Sequence, residues 1–290
     1  MGHLLRWGKA QLQAAGVETA RLDAELLLGA VLDITRAQLL ARIDQTVGTH
    51  QTHAYQELVA RRADGEPVAY ILGRREFYGR EFIVDPRVLI PRPETELVVE
   101  LALAHLTKRP SALVADIGTG SGAIAVTLAA ERPDVRVIAT DISPDALDVA
   151  RLNARRHGVA DRVDFRLGHL LDPVDVTADV LCANLPYVGT DEAHLLPRDV
   201  LVYEPHEALF AGRDGLTLLR ELLTSLTSAH VRRGGVVLLE VGYGHGQAVV
   251  QLACQRWPRE HVHLHKDLAG FDRVVEIVNV WADKQPSHSR

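Results

Sequence analysis

Asp116-Ile117-Gly118-Thr119-Gly120-Ser121-Gly122 lies where a predicted strand gives way to a predicted helix. Its glycines allow a tight turn and a close backbone approach to a ligand. Asp141, at the end of the next predicted strand, stands at about the offset of an acid that accepts both ribose hydroxyls. Together these residues indicate an adenosine-containing cofactor. Gly118, Gly120 and Ala123 also fit the dinucleotide pattern. The charge of Asp116 disfavours a pyrophosphate and suits a sulfonium or ammonium cation. From the loop alone, S-adenosylmethionine leads, with a dinucleotide and a purely structural glycine turn still open.

Asn184-Leu185-Pro186-Tyr187 follows the fourth predicted strand. In open parallel sheets, ligands bind beyond the carboxyl ends of the strands, so this tetrapeptide is expected to face the glycine loop. Its chemistry suits a planar NH2 group. The Asn184 side-chain oxygen can accept one N–H. Leu185 precedes a proline and is biased towards an extended backbone, which can present its carbonyl to the second N–H. Tyr187 can stack on a planar group. An amide nitrogen is a poor nucleophile because its lone pair is delocalised. Two fixed acceptors orient it and stabilise the positive charge that grows during alkylation. Asn and Pro are also ordinary turn residues, and it is the upstream glycine loop that favours a chemical role.

The elements that must position these residues alternate from residue 111 onward. Strands are predicted at 112–117, 135–140, 163–167, 180–183 and 235–241, with helices at 122–131, 143–157, 215–229 and 246–255. A closing strand pair is expected at 261–265 and 273–280. Repeated strand–helix units imply a mostly parallel sheet covered on both faces. Upstream, leucines at helical spacing and a helix over about 52–63 read as a small helical unit. Phe77, Tyr78, Phe82, Ile83 and Val84 suggest a hairpin with Gly79-Arg80 at its turn, and a helix is expected from about Pro93 to His105. The expected domains are 1–75, 76–91 as a hairpin linker, and 92–290, with the tail KQPSHSR frayed.

The 290 residues are 47% hydrophobic and 24% charged, which excludes a mainly disordered chain. A net charge of −6 counts against a role in coating nucleic acid. Two cysteines, Cys182 and Cys254, cannot make a disulfide framework. No signal peptide or spanning segment is visible, so a soluble cytoplasmic protein is expected.

The two motifs resemble the Asn-Pro-Pro-Tyr class of methyltransferases acting on planar nitrogens. GEPVAYILGRREFYG (65–79), VLIPRPETE (88–96) and DLAGFDRVV (267–275) narrow the resemblance to the HemK/PrmC family of release factor glutamine N5-methyltransferases, over nearly the whole chain. It implies a class I S-adenosylmethionine-dependent methyltransferase: an α/β, Rossmann-like seven-stranded mixed sheet with a small all-helical N-terminal domain and a β-hairpin linker. The implied activity is methylation of the glutamine in the Gly-Gly-Gln motif of class-one release factors. The resemblance assigns Asp116, Gly118, Thr119, Gly120, Ser121, Gly122, Asp141, Leu170 and Asn184 to the cofactor, and Asn184, Leu185, Pro186 and Tyr187 to the substrate amide. Arg92-Pro93-Glu94-Thr95-Glu96 would lie near the substrate pocket. The expected partner is a protein, with no direct nucleic acid, no membrane and a monomeric enzyme.

Two positions depart from the family pattern. Leu185 stands where a proline is usual, and His169 replaces a usual acid in Gly168-His169-Leu170-Leu171. The adenine amino group then loses an acceptor, unless His169 substitutes for it. Asn-Leu-Pro-Tyr also resembles the motif of ribosomal RNA adenine dimethyltransferases. The alternatives are therefore a glutamine methyltransferase of a ribosomal protein, an adenine-N6 methyltransferase on nucleic acid, or a non-catalytic adaptor that retains the fold. His261, His263 and His265 alternate and are read as edge-strand histidines rather than zinc ligands. Glu240 receives no role.

Overall fold

The computed structural model describes residues 1–280, so the tail KQPSHSR lies outside the described residues. The chain forms two compact units. The first comprises Met1–Arg74 with Pro197–Tyr203, and the second Arg75–Leu196 with the chain from Glu204 onward.

In the first unit, helices Gly2–Ala14, Ala20–Leu32, Arg36–Ala41, Thr49–Ala63 and Val68–Leu72 enclose a core of Leu12, Leu27, Leu28, Leu39, Tyr55 and Val59. Thr35 begins the third helix with a reciprocal cap: its hydroxyl accepts the Gln38 N–H, and the Gln38 side chain accepts the Thr35 N–H. Buried Arg62 donates to Asp23 at 2.7 Å and to Asp199 at 3.4 Å. This pairing ties the short helix Arg198–Tyr203, which has no clear sequence signal, into the first unit.

The second unit opens with a hairpin, β1 (Arg74–Phe77) and β2 (Arg80–Ile83). The turn falls on Tyr78-Gly79, not on the expected Gly79-Arg80. Both residues have positive φ, 52° and 69°, the geometry whose twist matches that of a two-residue hairpin. Glu96 and Glu76 side chains accept the Tyr78 and Gly79 N–H groups and hold the tyrosine in that unfavourable region.

Seven strands follow: β3 (Leu113–Ile117), β4 (Arg136–Asp141), β5 (Val163–Leu167), β6 (Ala178–Ala183), β7 (Val231–Glu240), β8 (Val262–Lys266) and β9 (Asp272–Val278). Their spatial order is β5-β4-β3-β6-β7-β9-β8. β3 to β7 are parallel, and β9 is antiparallel to both its neighbours. Alternate residues serve opposite faces. Val114, Val137, Val180 and Val236 pack against helices Glu96–Leu106 and Ala123–Glu131. Ala115, Leu181, Val237 and Leu239 pack against helices Thr217–Ser225 and Gly246–Cys254 and against Trp257. β7 starts before the expected Gly235, because residues 231–235 bulge past β6. The helix predicted over 215–229 is correspondingly shorter.

The chain runs outward from β3 to β5 and returns to β6 on the other side of β3. That reversal places a crevice at the carboxyl ends of β3 and β6, where ligands bind in such sheets.

Candidate active site

A cavity of about 620 Å3 occupies that crevice, within the range of small-ligand sites. Four strand ends contribute to it: the loop Gly118–Ser121 after β3, Asp141 at the end of β4, Gly168–Leu170 after β5 and Asn184–Pro186 after β6. Arg92 and Thr95, just after the linker, form another part of the wall, as do Glu207 and Phe210. Tyr187 and Asp116 are not among the lining residues.

The glycine loop is held chiefly by the end of β4. Gly118 and Thr119 N–H groups both donate to the Thr140 carbonyl at 2.9 Å, and the Gly122 N–H donates to Thr119 at 2.8 Å. The Gly120 N–H donates to the Asp141 carboxylate at 2.8 Å. A phosphate cradle needs such N–H groups free. Here four of the loop's N–H groups are spent internally, which disfavours a pyrophosphate. Gly118 has φ +73°, and a Cβ there would come within 2.9 Å of Leu185 Cδ2. Gly122 has φ +81°, and a Cβ would press on Ala150 and Val126. Both positions favour glycine for their conformation, and a side chain at either would also be tightly spaced.

Asp116 lies beneath the loop. It is 1% exposed, accepts the Thr119 hydroxyl at 2.6 Å and the Ala125 N–H at 3.1 Å, and has one oxygen without a partner. Burial pushes its pKa up to about 7, with the Asp141 carboxylate adding to the rise. The carboxylate thus orders the loop and acts on a ligand only through space. Asp141 lines the cavity, and its two oxygens accept Gly120 and Ser143 N–H groups. Burial raises its pKa, and Glu207 adds to the rise. A site in which carboxylates raise one another's pKa accepts a cation more readily than a phosphate. The spent loop amides and this acidic field both fit S-adenosylmethionine better than a dinucleotide.

Leu170 lines the cavity with φ 44°, a left-handed conformation rare for a branched side chain. The Thr140 hydroxyl donates to its carbonyl at 3.2 Å. Beside it, His169 Nε2 meets Glu221 Oε1 on the neighbouring helix at 2.9 Å.

Asn184 Nδ2 donates to Thr95 Oγ1 at 3.0 Å, which leaves Asn184 Oδ1 to accept from a ligand. Leu185 is 3% exposed and packs its side chain against Gly118. Tyr187 packs against Gly242, where a Cβ would lie 2.7 Å from its Cδ2. Burial pushes its hydroxyl up to about 12. Its expected stacking role is therefore not supported by direct contact with the cavity.

Three further residues belong to this neighbourhood. Arg92 donates to Glu204 at 2.6 Å, and Glu204, with its side chain 1% exposed, also accepts the Ile90 N–H at 3.1 Å. Thr95 holds Asn184. The linker motif signalled the region but gave no individual roles. Of the histidines read as edge-strand residues, His265 contacts Glu276 at 2.7 Å, and His105 reaches the same carboxylate at 3.0 Å.

Comparison with known proteins gives a consistent picture. A model of the PrmC N-terminal domain matches residues 3–73, and a model described as methyltransferase small domain matches residues 95–212. A release factor glutamine methyltransferase of Nitratidesulfovibrio vulgaris is 42% identical over 277 residues, covering 94% of this chain and 92% of the relative. One from Moorella thermoacetica is 44% identical over 264 residues, covering 91% and 93%. The solved hMettl16 catalytic domain superposes with a TM-score of 0.56 at 16% identity, covering 77% of this chain and 84% of that one. That likeness shows the methyltransferase fold.

Proposed function

From the premise that this chain belongs to the release factor glutamine methyltransferase family, we propose that it methylates N5 of the glutamine in the Gly-Gly-Gln motif of a class-one release factor. The observation that carries this reading is the Asn184 side chain, anchored through its nitrogen with its oxygen left for an incoming amide. S-adenosylmethionine, when bound, supplies an electrophilic methyl group on a sulfonium. Asp141 would hold the ribose, the loop Gly118–Gly122 the methionine moiety, and Leu170 the adenine. Asp116 and Thr119 keep the loop in shape.

Asn184 Oδ1 accepts one N–H of the glutamine amide and the Leu185 carbonyl accepts the other. With both N–H groups held, the nitrogen is oriented, and the positive charge it develops is met by two oxygen dipoles. Pro186 restricts the backbone that presents the Leu185 carbonyl. Tyr187 anchors the end of the motif against Gly242. The proton lost from nitrogen passes to water after transfer.

The helical unit of residues 1–75 docks the protein substrate, 76–91 is the connecting hairpin, and 92–290 carries the chemistry. The enzyme acts as a monomer on protein alone, without direct nucleic-acid contact. Among the described residues no helix is long and apolar enough to cross a membrane, and a release factor substrate places the reaction in the cytoplasm. The test is incubation with methyl-labelled S-adenosylmethionine and a class-one release factor or its Gly-Gly-Ala variant. Label confined to the Gly-Gly-Gln protein is expected; equal label on both, or on neither, overturns the reading.

A further inference from the structure

Glu240 is fully buried at the end of β7, and among the described residues neither carboxylate oxygen has a partner at full hydrogen-bond geometry. A buried, unpaired carboxylate is destabilising, so its place beside a reaction centre calls for a chemical reason. The register supplies the geometry. Ala183 of β6 stands opposite Leu239 of β7, so the next rung sets Asn184 beside Glu240. The side-chain hydroxyl that favours the ionised form of Glu240 is that of Thr95, the same group that accepts from Asn184 Nδ2. Thr95 is 4% exposed and sits at the junction of the linker with helix Glu96–Leu106.

We propose that Thr95 and Glu240 are positioning residues that fix the Asn184 amide with its oxygen turned to the substrate. This deepens the methyltransferase reading and rests on it for its catalytic consequence. A hydroxyl has one proton to donate, with lone pairs left to accept. An ionised Glu240 can only accept, so it draws the Thr95 proton towards itself. Thr95 Oγ1 must then accept from Asn184, which forces the Asn184 nitrogen inward and its oxygen outward. Protonation of Glu240 removes that constraint. Its own O–H can then donate to Thr95, whose proton turns to Asn184 and lets the amide rotate with NH2 towards the substrate. Two NH2 groups would then face each other, and the contact is lost.

Burial pushes the Glu240 pKa up to about 7, while Thr95, Arg273 and Arg92 lower it and Glu94 raises it. Tyr187 also faces Glu240 and remains neutral in this range. The polarity of the chain therefore changes near neutral pH.

The test follows the Asn184 side-chain NH2 signals by NMR in nitrogen-15-labelled protein without ligand, from pH 5.5 to 8.5, alongside kcat and KM. In the wild type the signals should titrate with a midpoint near 7, and kcat should fall on the acid side of it. Thr95→Val and Glu240→Gln should abolish the titration. They should lower kcat on the order of tenfold or more, with cofactor affinity held within about threefold. Thr95→Ser, which keeps the hydroxyl, should restore both. Signals indifferent to pH in the wild type, a titration that persists in Glu240→Gln, or a Thr95→Ser variant as impaired as Thr95→Val would each overturn the proposal. If Glu240→Gln does not fold, judged by cofactor binding, the Thr95 pair decides. If the wild type fails to methylate a release factor, the functional reading fails while the NMR titration still judges the positioning chain.

Discussion

Replacing Glu240 by glutamine should make the protein more stable relative to the wild type as pH rises. The wild-type carboxyl has its pKa raised by burial from 4.5 to about 7. Such a rise corresponds to about 3 kcal/mol of differential stability between the two protonation states. The sign follows from linkage. Below about pH 4.5 both folded and unfolded chains carry the neutral acid, and no penalty exists. Between there and pH 7 the unfolded chain releases its proton while the folded chain keeps it, so folding stability falls. Above 7 the full penalty applies. The amide of the Glu240→Gln variant is neutral throughout, and any packing defect it brings is the same at both ends of the range. The measurement is urea unfolding of both proteins at pH 5 and pH 8. The wild type should lose about 2–3 kcal/mol more than the variant over that interval. Asp116, also raised to about 7, contributes equally to both proteins and cancels. Equal pH dependence in the two would refute the reasoning, because it would mean that Glu240 is not a destabilised buried anion.

Asp141→Ala removes an acceptor of the Gly120 and Ser143 N–H groups as well as the proposed ribose contact. Calorimetry should show S-adenosylmethionine affinity reduced on the order of a hundredfold, the scale of one or two charge-assisted hydrogen bonds. Arg92→Ala removes the guanidinium donor of the buried Glu204 carboxylate and leaves it the Ile90 N–H. Because Arg92 is itself partly exposed, the loss should be about 2 kcal/mol in chemical denaturation rather than the larger value of a fully buried pair. Asn184→Ala should largely abolish turnover while weakening cofactor binding less, as read by single-turnover labelling and calorimetry.

The strand ends bearing the glycine loop, Asp141 and Asn184 were legible because each follows a short apolar run, and the alternation of strand and helix fixes which end of the sheet they share. Asp116 was legible as a residue of the loop but not in its role. Its position in sequence suggested a charge beside the ligand, and the fold adds that the carboxylate lies under the loop, where it accepts from Thr119 and Ala125. Tyr187 follows Asn184 closely in sequence, yet its ring packs against Gly242, because sequence adjacency alone does not make two side chains share a cavity. The Tyr78-Gly79 turn escaped because tyrosine rarely adopts positive φ, and its N–H is held by the distant Glu96 carboxylate while Glu76 accepts the Gly79 N–H locally. The resemblance places Thr95 near the substrate pocket, but the pairing of Thr95 with Asn184 was beyond reach in another way. Asn184 and Thr95 lie 89 residues apart, and only the folded sheet and linker bring them together.

Leu185 shows how one residue can serve two functions through different atoms. Its carbonyl is assigned to the substrate amide, and any residue retains a carbonyl. Its side chain is buried in the same cluster as Ile117, Ala183 and Leu170, and it touches the space above Gly118. A proline at this position would restrict the backbone but would fill that space differently, so the cofactor loop here leans on the leucine side chain. Leu185→Ala removes the support and keeps the carbonyl. It should destabilise the fold by about 2–3 kcal/mol, the usual range for a buried leucine truncated to alanine. It should also weaken cofactor binding severalfold more than it lowers kcat at saturating cofactor. Asn184→Ala should show the reverse pattern, with kcat lost and cofactor affinity largely kept. If the two variants lost binding and turnover in the same proportion, side chain and carbonyl would not have separable roles, and the division of the motif into a loop support and an amide acceptor would fail.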